Sequence, residues 1–489
     1  MKRMVLFRKP GSGLGVLLAT ILSVPINLSA QKVWTSPGSG SWMDTNNWSG
    51  HSAPVDTSAV LITNANTKTV TIDAGTSAGN LTIASLEISA PAGFTNFLFL
   101  SDVDTNTPLW LLNGLTVTTG GVVRVTNSAL TVDPSVPFIH LDGGFVLDSG
   151  LVTFGDLTST TKVGQVTSGV LTVNGGSVYM GRLKVGADTV GATGLVNMTG
   201  GSLYVASEFS VGRDPGTTGT VSMIGGLLVA TNDDVRVGDA GAGTMTISNA
   251  TALLTNLTIG HMAPAVGAFS MQSGALVQVS GDVTLGRLAG ATGTVVVAGG
   301  QLLAPGQALY VGSDGQGQMT ISNGAVVTVD TLYVTNTGLF SFSSGTLNLK
   351  NANVANGRPF VVGDGVTPAT LNMAGGTLIF ANGLTISSQA TLSGCGTIVG
   401  SILNLGTINT NCGPVLVRPM ITGQARSGVT NSISFTSVIG QTYVLEYKNS
   451  FSDASWTAIA PSVVGNGNIL TVMDTVATAQ SRIYRVRTQ

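Results

Sequence analysis

Short segments in which apolar and polar residues alternate recur at a regular spacing through the middle of this chain. Each copy begins with a short apolar segment that ends in glycine, continues through a loop to V-x-M, and closes with Gly-Gly and L-x-V. Copies span 183–208, 209–234, 257–282 and 283–308. Alternation with a period of two is typical of β-strands, and a fixed repeat of about 20–50 residues is typical of a solenoid. The pattern predicts an all-β chain whose main domain is a β-helix, with three strands and roughly 22–26 residues per coil.

Three positions of the repeat are apolar in every copy, and we expect each to form a stripe inside the coil. The expected stripes are Val185, Val211, Val237, Ile259, Leu285 and Val311; Met198, Met223, Ile247, Met271, Val297 and Ile321; and Leu203, Leu228, Leu253, Leu276, Leu302 and Val326. Stacked at about 4.8 Å per coil, such stripes fill the interior of a solenoid. A glycine follows the first strand of each copy, from Gly186 to Gly312, and suits a corner with a positive φ angle.

The segments around the repeats predict a domain order. The expected order is a signal peptide (1–30), an N-terminal aromatic cap (31–60), the β-helix (61–413), a linker (414–430) and a small β-sandwich (431–489). The first segment has a basic start, an apolar stretch and a small residue, Ala30, at the cleavage point, which is typical of export. An uncleaved membrane anchor is the alternative. The last segment contains short strands with alternating aromatic residues, as a sandwich requires.

Composition narrows the classes of partner. Charged residues make up 9% of the chain, where about 25% is usual, and the net charge is −2. This balance gives no electrostatic basis for binding nucleic acid or acidic lipid. The apolar share of 43% argues against disorder. We expect no membrane span after removal of the signal peptide, and the sequence does not indicate an oligomeric state.

Three segments resemble exported bacterial proteins. Val33 to Trp48 contain V-W-x₅-G-x-W-x₄-N-W, which resembles the start of exported bacterial β-helix proteins with autotransporter-associated repeats. Residues 394–414 resemble the closing turns of the same proteins, and residues 441–489 resemble a fibronectin-III-like tail domain of large secreted proteins. The resemblance implies a protein that is secreted, or held on the outer surface, of a Gram-negative bacterium.

The only two cysteines are Cys395 and Cys412. A pair of cysteines in an exported protein suggests a disulfide, here one that closes a short loop. Two buried free thiols at the end of the solenoid are the alternative.

Three sets of residues are candidates for chemistry. Glu208 and Asp234 occupy the same position of adjacent coils, which predicts a carboxyl separation of about 5 Å, as in a retaining glycosidase. Lys184 is the type of base that a β-helix polysaccharide lyase uses. The alternative for these three residues is a solvated corner of the coil.

The other two sets are an acidic row and an aromatic group. Asp188, Asp214 and Asp239 follow the repeat glycine and could form a row of carboxylates for calcium, or simply Asx turns. No other cofactor is expected. The cap tryptophans could stack on sugars, or could plug the open edge of the first coil; they are Trp34, Trp42 and Trp48.

These observations favour a non-catalytic, adhesin-like scaffold that contacts extracellular polysaccharide or the cell envelope. A polysaccharide-active enzyme, either a lyase or a glycoside hydrolase, is the second hypothesis. A carbohydrate-binding module without turnover is the third. Clustered acids with a lysine or arginine would favour the enzyme, and exposed stacked aromatic residues would favour sugar binding.

Overall fold

The chain folds as a parallel β-solenoid of about 15 turns, followed by two small antiparallel sheets. This computed structural model describes residues 30–76, 81–409, 416–478 and 481–488. Within those ranges the helical segments are two 3₁₀ turns, Thr45–Asn47 and Ser49–His51, and no helix is long and apolar enough to cross a membrane. The prediction of a β-helix followed by a small β-sandwich is confirmed. The predicted signal peptide, apart from Ala30, and Cys412 lie outside the described residues.

The strands are numbered in chain order. The first part of the solenoid contains β1 (Ala30–Val33), β2 (Gly40–Ser41), β3 (Ser58–Ile62), β4 (Lys68–Ile72), β5 (Thr82–Ile88), β6 (Asn96–Val117), β7 (Gly121–Val132), β8 (Phe138–Leu141), β9 (Gly144–Leu147), β10 (Gly150–Phe154), β11 (Thr160–Val163), β12 (Ser168–Val173) and β13 (Ser177–Met180). The middle part contains β14 (Arg182–Val185), β15 (Thr193–Met198), β16 (Ser202–Val205), β17 (Phe209–Val211), β18 (Thr218–Met223), β19 (Leu227–Ala230), β20 (Val235–Val237), β21 (Ala242–Ile247), β22 (Thr251–Leu254), β23 (Leu257–Ile259), β24 (Val266–Met271), β25 (Leu276–Val279), β26 (Val283–Leu285), β27 (Thr292–Ala298) and β28 (Gln301–Val311). The last part contains β29 (Gln316–Ser322), β30 (Val326–Val334), β31 (Gly338–Phe342), β32 (Gly345–Leu349), β33 (Asn351–Val354), β34 (Phe360–Val362), β35 (Ala369–Phe380), β36 (Leu384–Ile386), β37 (Ala390–Val399), β38 (Ile402–Asn404), β39 (Thr407–Asn409) and β40 (Leu416–Arg418).

Each turn contributes one strand to each of three parallel sheets. Sheet A contains β14, β17, β20, β23 and β26, the strands that end just before the repeat glycine. Sheet B contains β15, β18, β21, β24 and β27. Sheet C contains β16, β19, β22 and β25. Long strands such as β28 turn the corner and pair in sheet C with one half and in sheet A with the other.

Two of the three predicted stripes are confirmed, and the third is partly wrong. The stripes that start at Val185 and Met198 stack in register inside sheets A and B and are buried throughout. In sheet C the buried stripe is Leu203, Leu228, Ala252, Val277, Leu302 and Val327. The predicted members Leu253, Leu276 and Val326 each lie one residue away and are only partly buried. Because side chains alternate between faces, an error of one residue moves them to the outer surface.

The repeat glycines form the corner after sheet A, as predicted. Gly186 has a φ of 68° and Gly312 a φ of 71°. A Cβ atom on Gly186 would lie 2.2 Å from the carbonyl oxygen of Thr218 in the next turn. Glycine is therefore required both by the backbone conformation and by the close approach of the neighbouring turn.

The three cap tryptophans complete the core at the N-terminal end. Trp34 and Trp42 each pack edge-to-face on Trp48, with ring centroids 5.0 Å apart in both pairs. The indole Nε1 of Trp48 donates a 2.7 Å hydrogen bond to the carbonyl oxygen of Trp42. All three side chains are buried and join the solenoid core. This arrangement corresponds to the plug interpretation.

Two three-stranded antiparallel sheets follow the solenoid. Their strands are β41 (Ile421–Ser427), β42 (Thr430–Thr436), β43 (Thr442–Lys448), β44 (Thr457–Val464), β45 (Ile469–Asp474) and β46 (Ile483–Thr488). They share a small core that includes Phe435 and Tyr443. Val438, between them, forms a parallel β-bridge with Ile402 of the last turns and packs against the solenoid core. Cys395 lies in β37 and is not a free thiol, but the predicted bridge stays a prediction because Cys412 is outside the described ranges.

Candidate functional site

Charged side chains concentrate on the outer surface of sheet A and at the corner after it. Four columns of the repeat supply them: the middle of the strand, the position before it, and the first and second positions after the repeat glycine. We call this group the sheet A cluster; it consists of Lys184, Glu208, Ser210, Arg213, Asp214, Asp234, Arg236, Asp239, His261 and Arg287. Stacking of successive turns places acids beside bases, both within one column, as for Arg213 and Asp239, and between columns, as for Lys184 and Glu208.

Asp239 is the most enclosed member of the cluster, with no exposed side-chain surface. Its Oδ1 lies 2.7 Å from Nδ1 of His261, one turn further along. Its Oδ2 lies 3.2 Å from the Ser210 hydroxyl and 3.4 Å from Nε of Arg213, both in the preceding turn. Arg236 approaches the same oxygen at 3.7 Å. The carboxylate thus connects three consecutive turns.

Glu208 belongs to the same network. Its Oε1 accepts a 3.0 Å hydrogen bond from Nε of Arg213 and lies 3.0 Å from the Ser210 hydroxyl. Its Oε2 is 3.9 Å from Nζ of Lys184. The predicted catalytic residues Glu208 and Lys184 are therefore neighbours, but they already form an ion pair.

Asp234 lies in the turn after Glu208, as the sequence alignment predicted, because Phe209 pairs with Val235. Its Oδ1 accepts a 2.8 Å hydrogen bond from Nδ2 of Asn256, and its Oδ2 is 3.7 Å from both Arg236 and Arg287. The structure brings the three predicted catalytic residues to one patch, and every carboxylate of that set has cationic neighbours.

The acids of the cluster stabilise the charged form of Arg213. Burial alone would lower the pKa of the Arg213 guanidinium, but the charges of Asp239, Glu208 and Asp214 outweigh it and raise that pKa.

The three aspartates predicted to line up for calcium do not form one row. Asp239 follows its repeat glycine directly, whereas Asp188 and Asp214 stand two residues after theirs. Asp188 accepts hydrogen bonds from Lys162 at 2.5 Å and Gln165 at 2.8 Å, and its own N–H donates to Asp214 at 2.8 Å. Among the residues that the structure describes, no three His, Cys, Asp or Glu side chains are grouped as metal ligands.

The tryptophans predicted to stack on sugars offer no such surface. Trp34, Trp42 and Trp48 are at most 1% exposed, because they cover the first turns of the solenoid. This set could not stack on a sugar unless the cap opened.

Exposed aromatic side chains lie instead on sheet C. The central outward position of its strands forms a line parallel to the solenoid axis, which we call the sheet C row: Trp110, Thr131, Thr153, Tyr179, Tyr204, Val229, Leu253, Gln278, Leu303, Thr328, Asn348, Asn372 and Ser393. None of these residues is charged. The rings of Tyr179 and Tyr204 stack with centroids 4.5 Å apart and planes 3° apart.

Two hollows lie along the sheet C row. The first, of about 240 Å³, is bordered by Leu157, Tyr179 and Tyr204, with the acid Asp156 at its margin. The second, of about 420 Å³, has Leu253, Leu303 and Pro305 beside the polar side chains Thr231, Gln278 and Ser280. Apolar surface with a few polar groups is the usual lining of a ligand site.

Sequence reasoning missed the sheet C row, although a signal was present. Tyr179 and Tyr204 each stand between two apolar residues in a strand, in S-V-Y-M and S-L-Y-V. That alternation places both tyrosines on the outer face of adjacent turns.

No known protein family matches this chain, and neither does any curated protein or any solved structure. The functional argument therefore depends on the fold and on these two surfaces.

Proposed function

We propose that this protein is a non-catalytic β-helical scaffold, exported to the surface or surroundings of a Gram-negative bacterium, where it contacts extracellular polysaccharide or the cell envelope. The observation that carries the proposal is the mutual pairing of acids and bases in the sheet A cluster. Glu208 and Asp239 share the same arginine, Arg213, at 3.0 and 3.4 Å. Side chains paired in this way hold neighbouring turns together, and a substrate would have to displace those pairs before it could reach the carboxylates.

The resemblance of the start and the closing turns of the solenoid to exported β-helix proteins, and of the tail to a fibronectin-III-like domain, supports the cellular location. A stiff solenoid also suits a scaffold, because every turn pairs with its neighbours and displays its outer side chains at fixed intervals.

A polysaccharide lyase or glycoside hydrolase is the second candidate. It is favoured by one observation: Glu208, Asp234 and Lys184 share one surface patch on adjacent turns. An enzyme that worked there would have to break the pairs of Glu208 with Arg213 and of Asp234 with Arg287 when substrate bound.

Turnover assays separate the two candidates. The purified protein is incubated with polygalacturonate, alginate, xylan and amorphous cellulose, with and without calcium, while reducing ends and unsaturated-uronate absorbance are followed. The proposal predicts no products above a protein-free blank. Turnover that disappears in the double variant Glu208→Ala/Asp234→Ala, and persists in Asp314→Ala, would establish the enzyme. Asp314 is the matched control because it is an exposed acid after a repeat glycine outside the cluster.

A further inference from the structure

Charge is divided unequally between the outer faces of the solenoid. Sheet A carries the cluster of acids and bases, whereas the sheet C row has no charged member over thirteen consecutive turns. Two carboxylates lie beside this row: Asp133 accepts a hydrogen bond from the Trp110 side chain, and Asp156 lines the hollow at Tyr179 and Tyr204. A row of uncharged side chains flanked by acids offers no attraction to a polyanion, and an uncharged polymer binds it without removing water from charges within the row.

Exposed aromatic side chains stand at two positions near the N-terminal end of the sheet C row. Trp110 is 40% exposed and Tyr179 is 42% exposed. Three turns separate them, which corresponds to about 14 Å at the usual strand spacing. The two positions between them are Thr131 and Thr153. Their short hydroxyl side chains project less far from the sheet than the two aromatic rings do. Aromatic rings with polar neighbours suit a ligand that has both apolar faces and hydroxyl groups.

The row continues past the tyrosine pair to the larger hollow. From Tyr204, two turns lead to Leu253 and two more lead to Leu303. Gln278 stands between these leucines and supplies an amide that can donate and accept hydrogen bonds. Eight in-register turns lead from Trp110 to Leu303, so a ligand that uses this whole stretch of the row must be long and extended.

We propose that the sheet C row binds a neutral, linear polysaccharide whose chain runs parallel to the solenoid axis. Trp110, Tyr179 and Tyr204 stack on its sugar rings, and Gln278 bonds its hydroxyl groups. This inference rests on the proposed function and assigns it a face and a class of polymer.

Binding of defined oligosaccharides to the full chain tests the inference. The probes are cellohexaose, xylohexaose and mannohexaose as neutral ligands and hexagalacturonate as the charged one, measured by titration calorimetry. We expect binding of at least one neutral probe, and the double variant Tyr179→Ala/Tyr204→Ala should weaken it about tenfold or more, since buried aromatic contacts dominate such surfaces. Trp110→Ala should also weaken it.

The matched control is Tyr310→Ala/Tyr333→Ala. That pair stacks in the same way, with ring centroids 5.0 Å apart and planes 6° apart, but it lies on sheet A. Its affinity for neutral probes should equal that of the unaltered protein. Equal melting temperatures of the two double variants exclude unfolding as the cause of a difference.

Four results would overturn the inference. Unchanged affinity in Tyr179→Ala/Tyr204→Ala would show that the sheet C row is not the binding face, and would leave the proposed function intact. Binding of hexagalacturonate alone would have the same consequence. Failure to bind any probe, together with failure to be retained on any polysaccharide, would remove both. Self-association of the protein that is lost in the tyrosine variant would instead make the row a contact between copies.

Discussion

Asp239 illustrates how this solenoid accommodates a buried charge. The carboxylate is fully enclosed, yet it has a histidine at 2.7 Å and an arginine at 3.4 Å from two different turns. Burying a charge is costly, and the cost is offset only when its partners are close and well placed. Because the partners come from separate turns, the network also fixes the register of sheet A at this point.

Removing the charge of Asp239 should therefore destabilise the solenoid. We expect Asp239→Asn to lower the free energy of unfolding by about 3 kcal/mol, since it leaves Arg213 and Arg236 without their shared buried partner. Denaturant unfolding measures this. Asp314→Asn, at an exposed acid, should change stability by less than about 0.5 kcal/mol. Equal effects of the two substitutions would show that the network contributes nothing.

The sequence predicted part of this site and not the rest. Repeat alignment placed Glu208, Asp234 and Lys184 on one patch because residues of one column stack on each other. The contacts of Asp239 with Arg213 and His261 also lie within one column, since each of the three residues stands directly after its repeat glycine. The contacts of Glu208 with Arg213 and of Ser210 with Asp239 join different columns, and they follow from how the corner folds. Alignment of columns cannot provide that information.

The corner after each sheet A strand shows which glycines the repeat needs. Gly186 and Gly191 belong to the same turn and both have positive φ, 68° and 87°. Only at Gly186 does a neighbouring backbone lie close; nothing lies within 4 Å of a Cβ on Gly191. The two positions separate the cost of backbone strain from the cost of a steric clash.

Alanine at these two positions should have unequal effects. Gly191→Ala should cost about 1–2 kcal/mol, the usual penalty of a left-handed conformation for a residue with a Cβ atom. Gly186→Ala should cost clearly more, because its Cβ would meet the Thr218 carbonyl oxygen. Thermal and denaturant unfolding give both values. A smaller loss for Gly186→Ala would contradict the close packing of the turns.

Alternation within strands was the most informative signal for the fold and also the source of its main error. It identified the buried columns of sheets A and B, where V-x-M and its variants leave no ambiguity. In sheet C, two adjacent apolar residues such as Leu253 and Leu254 fit either face, so the pattern alone did not fix the register.

The C-terminal sandwich has its own buried charge. Asp474 is fully enclosed in β45, pairs with Arg482, and accepts a 2.8 Å hydrogen bond from the Tyr484 hydroxyl. Burial alone would raise the pKa of Asp474, but the bonds from Arg482 and Tyr484 outweigh it and lower that pKa below the ordinary value of 3.8.

This lowered pKa makes the sandwich sensitive to acid. The stabilising contribution of the ionised Asp474 carboxylate is fully present above about pH 4, near the pKa of the unfolded state. It is lost as the pH falls through the lower pKa of the folded state. We expect unfolding of the tail, followed by the fluorescence of Trp456, to shift to lower denaturant concentration as the pH is lowered from 5 to 2. In Asp474→Asn the tail should be weaker at pH 7, and the acid-dependent loss should be smaller. An unchanged acid dependence in the variant would contradict this assignment.

The ends of a solenoid are its weakest points, because each terminal turn exposes an unpaired edge. The tryptophan cap covers the core at the N-terminal end, and the sandwich contacts the last turns through Ile402 and Val438. The tryptophan cap and the sandwich each limit the access of another copy of the protein to the unpaired strand edge at their end of the solenoid.

Loss of the cap should affect both stability and association. We expect Trp48→Ala to cost about 3–5 kcal/mol, as for other large core deletions, and to promote oligomers by exposing the first strands. Trp110→Ala, which truncates a half-exposed ring, should leave the melting temperature and the monomer fraction nearly unchanged. Calorimetry measures the melting temperature, and size-exclusion chromatography measures the monomer fraction. Equal melting temperatures and monomer fractions in the two variants would contradict the role of the tryptophans as a cap.

The proposed function describes a scaffold that holds polysaccharide without cutting it. The most direct test is a single reaction in which the purified protein is mixed with insoluble xylan or cellulose, and both the bound protein and the released reducing ends are recorded over time. The proposal predicts that the protein is retained while reducing ends stay at the level of the blank. Steady release of reducing ends that is abolished by Glu208→Ala/Asp234→Ala would contradict it.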